Sequence, residues 1–416
     1  MTHVVFIAPL FLETTNRYVE GFCNIEDITF SVISQDPASS IPRALRSRVT
    51  GHYRVSDPLD PEQLLVATRA LGKGIGKVDR LVGVLEQLQI PMAHVRDELG
   101  IEGINGEVAR NFRDKDRMKD VFREHGVPTA KSGLATSPEA LRKFIDQVGY
   151  PVIVKPQAGL GTRGTYRITS AEDLAALEEQ GVTPTQERPL QCEQFVVGAR
   201  EHTCETVTVR GKPVWRSGTR YFPTPLEVLE NAWMQYCVML PREEDLPEFE
   251  KFAPINAAAL DALFGRWAKT AAGTSLTHME WFLREDGTAL VNEVGARPPG
   301  VMIMPLMSIA HETDFFHDWA RLMAVEEFTP KKRKWSAGAA FFRGQGRGDR
   351  IVSVEGIDKA IADAGDALVE FRTPKVGMAR AAGYEGEGRA TVRGATTEDV
   401  KNALISLVEN VQIRYG

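Results

Sequence analysis

Two carboxylates in this chain are spaced to meet across a single turn. Residues 275–283 and 288–294 are strand-forming runs on either side of Arg284, Glu285, Asp286 and Gly287. Asp-Gly is a favoured pair for the centre of a two-residue type I′ turn, whose backbone twist matches that of the strands it joins. With Asp286-Gly287 in that role, Glu285 faces Thr288, and counting outward in step puts Glu280 opposite Glu293 on one face. Directly paired side chains have Cβ atoms about 5 Å apart, where like charges destabilise a sheet. Such a pair persists where a cation lies between its members, and hard divalent ions take carboxylate oxygens. Arg297 and Pro298-Pro299-Gly300 follow at once. An arginine beside a metal clamp points to phosphate chemistry.

A second motif supports that direction. Lys155 closes an apolar run and leads into Gly159-x-Gly161-Thr162-x-Gly164. The glycine spacing matches a dinucleotide fingerprint, but that loop must open a helix. Here Thr165, Tyr166, Arg167, Ile168 and Thr169 follow, all compatible with a strand. The expected structure is a hairpin tip laid over phosphates, whose small residues let backbone N–H groups reach the oxygens. A protein kinase flap has its lysine strand after the glycines, whereas Lys155 precedes them. The run from Gly72 to Lys77 is one residue short of a P-loop and has Val78 where a metal-binding hydroxyl is required.

The remaining sequence sets the frame. A length of 416 residues predicts two to four domains. A net charge of −6 carries no basic footprint for nucleic acid or an acidic membrane. The short run Lys331-Lys332-Arg333-Lys334 reads as a solvated linker. No apolar stretch approaches the roughly 18 residues of a membrane span, and residues 4–12 lack the positive lead-in of a signal peptide. Cys23, Cys192, Cys204 and Cys237 show no metal or redox spacing. Reduced thiols in a cytoplasmic protein are expected.

Alternating strand and helix signals predict a parallel α/β domain over residues 1–108. Ala8-Pro9-Leu10 after the first strand leaves that domain without a dinucleotide loop. Helices are predicted from Asp114, from Ser137-Pro138, from Ser170 and over residues 255–271, with strands at 150–156, 165–169, 191–197, 203–209 and 213–220. Residues 302–324 are apolar at helical spacing. Residues 331–416 read as an α+β module closed by a helix starting at Thr396 or Thr397.

The order of these motifs resembles the ATP-grasp superfamily over residues 109–325: Lys155 and its glycine hairpin, Glu193-Gln194-Phe195-Val196-Val197-Gly198, then Glu280, Glu293 and Arg297. Residues 84–115 and the C-terminal part are similar to the L-amino-acid ligase branch. The resemblance implies an ATP-grasp fold (α/β, with α+β character in the ATP-binding part, residues 109–330) between the N-terminal domain and the C-terminal subdomain. It implies that Lys115 and Lys155 contact the α- and β-phosphates of ATP under the glycine loop. Glu193, Phe195 and Val196 would belong to the hinge that holds adenine, and Glu201 would hold ribose, with His202 as a substitute. Glu280 and Glu293 would hold two magnesium ions (manganese in their place), and Arg297 would stabilise the transferred phosphoryl group. The superfamily commonly has Asn two residues after the second metal-binding glutamate; Gly295 stands here and cannot ligate through a side chain.

The implied activity is ADP-forming ligation of a carboxylate to an amine, on amino acids or related amines, through an acyl phosphate. The partners would be small molecules and, following the family, a second copy of the chain. Arg216, Arg220 and His278 are candidates for binding substrate. Two alternatives stay open: an ATP-dependent carboxylase activating bicarbonate, and a nucleotide-binding protein without catalysis. Bicarbonate-dependent ADP release would mark the first, and absence of magnesium-dependent ATP turnover the second.

Overall fold

A computed structural model describes residues 1–157, 164–231, 234–381, 383 and 385–416. The apolar run Thr2–Ile7 is buried from residue 3 onward and forms the centre of a parallel sheet. Its neighbours are Ile28–Ser34 on one side and Arg80–Gly83 on the other, with Gly51–Arg54 at the edge, all parallel. Strands buried on both faces read as continuous apolar runs rather than alternating ones, as residues 4–7 do.

Two main antiparallel sheets follow. The smaller has the order Ser132–Ala135, Leu190–Gln194, Val152–Pro156, Tyr166–Ile168. Val152 pairs with Ile168 and Val154 with Tyr166, so the strands flanking the glycine motif form the expected hairpin. Gly159, Gly161 and Thr162 lie outside the described residues. Gly164 has φ +70°, a left-handed conformation that glycine adopts without a Cβ penalty.

The larger sheet has eight strands, in the order Ala289–Gly295, Ser275–Leu283, Arg200–Val209, Lys212–Phe222, Tyr236–Leu240, Ser336–Phe342, Gly388–Gly394, Leu368–Arg372. Tyr236–Leu240 pairs directly with Ser336–Phe342, so the boundary expected at residue 331 falls inside one continuous sheet. Three C-terminal strands extend the large sheet, while Ile351–Glu355 and Gln412–Tyr415 pair in a separate two-stranded sheet.

Helix starts expected from sequence carry side-chain caps. Asp114, Ser137, Ser170 and Thr396 each accept a backbone N–H at the start of the helix that follows, satisfying donors with no intrahelical partner. Two helices differ from expectation. The one predicted over residues 255–271 is Pro247–Phe264, begun by Pro247 at its first turn and carrying Pro254 inside. The apolar stretch 302–324 is two helices, Ile303–His311 and Phe315–Val325, separated where Glu312 turns left-handed and Asp314 caps the second.

Trp281 anchors the acid hairpin to its support. Fully buried, it stacks on Phe252 of helix Pro247–Phe264 with ring centroids 3.9 Å apart, and on His202 at 4.9 Å. Trp281→Ala is expected to cost about 3–5 kcal/mol through lost burial and the cavity left behind, read from the urea midpoint. A loss under about 1 kcal/mol, the size of an ordinary surface change, would show that the helix does not rest on this ring.

Candidate active site

The turn of the acid hairpin is not the two-residue type I′ turn. Arg284 donates its N–H to Thr288 O at 2.9 Å, and Gly287 has φ +80°, so the loop holds Glu285, Asp286 and Gly287. This is the three-residue loop with a left-handed third position. Pairing near the turn is therefore shifted by one, with Leu283 opposite Ala289 and Trp281 opposite Val291. A bulge at Asn292 then adds one residue to the second strand and restores the register, so that Glu280 does face Glu293. Bulges re-aim side chains. Here Asn292 donates Nδ2 to Glu280 Oε2 at 3.1 Å and lines the same cleft. It is a site residue that the sequence reading missed.

The cleft, about 240 Å³, lies between the small and large sheets. Lys155, Glu193, Phe195, Val196, Glu201, His278, Glu280, Glu293 and Arg297, all singled out from sequence, line it. Lys115 reaches it from behind, its Nζ 2.5 Å from Glu293 Oε1. Two candidates are not brought there. Arg220 points to the opposite face of its strand, where it pairs with Glu248 at 2.6 Å, and Arg216 is exposed outside the cleft. Successive side chains on a strand alternate in direction, and it is Tyr221 that faces the cleft. The same alternation puts Glu201 in the cleft and His202 in the core under Trp281.

The charges in this pocket oppose and balance one another. Burial pushes Glu280 up, and Glu293 across the strand pushes it further. Burial alone would also raise Glu293, but Lys115 and Lys155 outweigh it and hold the carboxyl at about 2. Glu201 is pushed up to about 8 by burial and by Glu280. Burial and mutual repulsion thus oppose ionisation of Glu280 and Glu201, which a cation beside them would relieve. Among the described residues no group of three or more His, Cys, Asp or Glu side chains is placed to hold a metal ion. Two hard-oxygen donors fit magnesium, which is bound through one or two carboxylates with phosphate oxygens and water completing its shell.

Glu193 is less a hinge residue than a buried counter-ion. Its carboxylate sits 3.0 Å from Lys155 Nζ and 3.8 Å from Lys119 Nζ. Lys119, which sequence inspection passed over, is buried and also donates to Asn292 O at 2.6 Å. His278 has its Nδ1 2.8 Å from the fully buried Glu205 and its Nε2 3.9 Å from Glu280. Arg297 is held by Glu86 of the N-terminal domain, which also lies 3.9 Å from Arg113. Glu86 follows the carboxyl end of strand Arg80–Gly83, beside the central strand where the strand order reverses. Ligands of open α/β sheets bind at such switch points, and that rule could have found it.

Glu86 also accounts for Gly295. A Cβ at position 295 would lie 3.3 Å from Glu86 Oε2, so a longer side chain would press on the carboxylate that holds Arg297. Beyond Arg297, Val301 and Met302 have φ +50° and +67°, a conformation costing non-glycine residues on the order of 1–3 kcal/mol each and concentrated at functional sites.

A protein-family model for the ATP-grasp domain matches residues 120–301. This chain contains an ATP-grasp domain. The chain is 28% identical over 184 residues to the C-terminal section of a carbamoyl phosphate synthase large chain from Methanopyrus kandleri, covering 41% of this chain and 32% of that protein. It is 29% identical over 156 residues to an alanine–anticapsin ligase from Bacillus subtilis, covering 35% of this chain and 33% of that one. The chain therefore spans about a third of the length of each of these curated relatives. The L-amino acid ligase of Bacillus licheniformis superposes over 100% of this chain and 99% of its own with a TM-score of 0.73 at 15% identity, a likeness of fold. Among the described residues no helix is long and apolar enough to cross a membrane.

The lysine–glutamate network makes a pH-dependent prediction. Burial lowers Lys119 to about 8, although Glu193 pulls the other way. Glu193→Gln leaves both lysines without that carboxylate, which should destabilise the fold by about 3–5 kcal/mol. Lys119 has a folded value below its unfolded one, so the unfolded chain binds more protons between the two, and stability rises with pH there. Without Glu193 the folded value of Lys119 falls further, so the deficit of the variant should be largest in mild acid and shrink as pH rises toward 8, where Lys119 becomes neutral in both folded proteins; urea unfolding at pH values up to and beyond 8 checks it. A deficit independent of pH would remove Lys119 from the network.

Proposed function

We propose that this ATP-grasp protein is a carboxylate–amine ligase that forms an amide bond and releases ADP and phosphate. The observation that carries this reading is the convergence of Lys155, Glu280, Asn292, Glu293 and Arg297 on one cleft between two antiparallel sheets. Phosphoryl transfer needs positioning and charge neutralisation rather than covalent help from the protein. Glu280 and Glu293 would hold magnesium, which when bound would neutralise charge on the phosphate oxygens.

The chain's own groups supply the rest. Lys155 presents a cation to the phosphates, and Lys115 is held ready on Glu293. A substrate carboxylate oxygen attacks the γ-phosphorus, the bond to the bridging oxygen breaks, and ADP leaves with that electron pair. The amine nitrogen then attacks the acyl phosphate carbon. The carbon–oxygen bond breaks, and phosphate departs carrying the electron pair and the proton shed by nitrogen. Arg297, fixed by Glu86, is placed to stabilise negative charge on the transferred group, as preorganised donors do. Phe195 and Val196 supply apolar wall for the nucleotide base, and Glu201 a polar group for its sugar. The cytoplasmic setting and small-molecule substrates expected from sequence belong to the same reading.

The test is ADP release over pairs of amino acids, with hydroxylamine present to trap an acyl phosphate. A hydroxamate formed from one acid alone identifies the activated carboxylate. No carboxylate-dependent ADP release would overturn the reading, and release dependent on bicarbonate would assign the chain to the carboxylases instead. A sharper signature concerns Glu280→Gln. Removing one of two opposed acids should leave stability unchanged or raise it by about 0.2–1 kcal/mol, while turnover falls by about a hundredfold or more through loss of charge placement. Thermal unfolding and ADP release on the same preparation check both. Retained turnover would take Glu280 out of the site.

A further inference from the structure

A second cavity of about 990 Å³ lies on the other side of residues 298–302. Three distant parts of the chain wall it: helix Glu13–Cys23, helix Ile303–His311 with the loop before it, and the paired strands Leu368–Arg372 and Gly388–Gly394. It meets the nucleotide cleft at Gly300 and Val301, which line both. A Cβ at Gly300 would touch nothing within 4 Å, so open space adjoins the wall at that point. Arg297 lies on the cleft side of the same loop.

The chemistry of this chamber is specific. Its lining carries five carboxylates and three guanidinium groups. Arg372 is committed to Glu13 and to Glu370, the latter at 3.0 Å. Arg389 approaches Glu370 only at 3.6 Å, and its Nε has no hydrogen-bond partner among the described residues. Beside it the Thr391 hydroxyl, on a residue 1% exposed, is likewise unpartnered. Buried polar groups in folded proteins are normally satisfied, and two unsatisfied donors side by side suit a ligand that accepts. The surplus of carboxylates repels a doubly charged phosphate ester. It tolerates a zwitterion, whose single carboxylate can meet the arginine while its ammonium faces the acids. The volume falls within the range of small-molecule sites.

We infer that this chamber binds the amine substrate of the ligase reading, on which the inference rests. That substrate is an unphosphorylated, amino-acid-like zwitterion. Its carboxylate pairs with Arg389 and Thr391, and its nitrogen reaches the acyl phosphate past Gly300 and Val301. Residues 298–302 are the partition between activation on one side and acceptor binding on the other.

Two variants separate this from the ligase reading: Arg389→Gln removes the anchor, and Thr14→Trp fills the rim from an exposed position on the first helix. Each is compared with wild type in amide formation, with the genetically encoded L-amino acids offered singly as amine, and in hydroxamate formation, where hydroxylamine is too small to need the chamber. Both variants should raise KM for the amino-acid amine by about tenfold or more while hydroxamate formation changes by about twofold or less. Arg389→Lys should recover part of the loss. Unchanged KM in both variants, or equal losses in the two assays with the fold intact by thermal unfolding, would overturn the chamber's role and leave the ligase reading standing. Wild type that makes hydroxamate but no amide with any amino acid would overturn the substrate class. Wild type that makes neither would overturn the ligase reading and this inference together.

Discussion

Two negative charges are forced together where the protein cannot afford them, and the surrounding architecture answers that constraint. Glu280 and Glu293 face each other across adjacent strands, and burial raises the cost of ionising either one. Lys115 comes from a helix, Lys155 from the small sheet, and Glu193 holds Lys155 and Lys119 in turn. Removing one partner of a buried ion pair leaves an uncompensated charge that costs more than the pair gains. The network is therefore hard to dismantle piecemeal. Its one unbalanced member is Glu280, raised by burial and by its neighbour, and that imbalance is what a cation would relieve.

The N-terminal domain enters the same system through Glu86. A single carboxylate ties Arg297 and Arg113 to the parallel sheet, so the arginine that follows the acid hairpin is oriented by a domain more than two hundred residues earlier in the chain. Gly295 belongs to this arrangement, since its missing side chain leaves room for that carboxylate. The C-terminal strands enter differently, by extending the large sheet and walling the second cavity. Helix Glu13–Cys23, the partition at residues 298–302 and strands Leu368–Arg372 and Gly388–Gly394 thus meet at one place without being near in sequence.

Much of this was legible in the residues, for reasons that differ from one element to the next. The facing glutamates were placed correctly through two departures that cancel: a loop one residue longer than expected, and a bulge at Asn292. Alternation fixes face only within an unbroken strand, so the bulged Asn292 stayed hidden. Arg216 and Arg220 were misassigned for another reason. On their strand Arg216 is exposed and Arg220 turns to Glu248, away from the cleft, and alternation alone does not say which of the two faces meets the site. Caps such as Asp114 and Ser137 were read directly because a side-chain acceptor at a helix start is a local interaction. Lys119 acts through partners distant in the chain and no local pattern announces it, whereas Glu86 is signalled only by the topology, at the strand-order reversal of the parallel sheet.

The proposed ligase requires the acid pair to seat a metal–nucleotide complex. The direct measurement is electron paramagnetic resonance of Mn²⁺ titrated with ADP and protein, comparing wild type with Glu280→Gln/Glu293→Gln. Wild type should remove the free-ion signal with ADP present and hold the ion at a saturable site, and the double variant should leave the signal of manganese–ADP unchanged. Equal binding by both proteins would contradict the account, because the ion would then be held by something other than the two carboxylates.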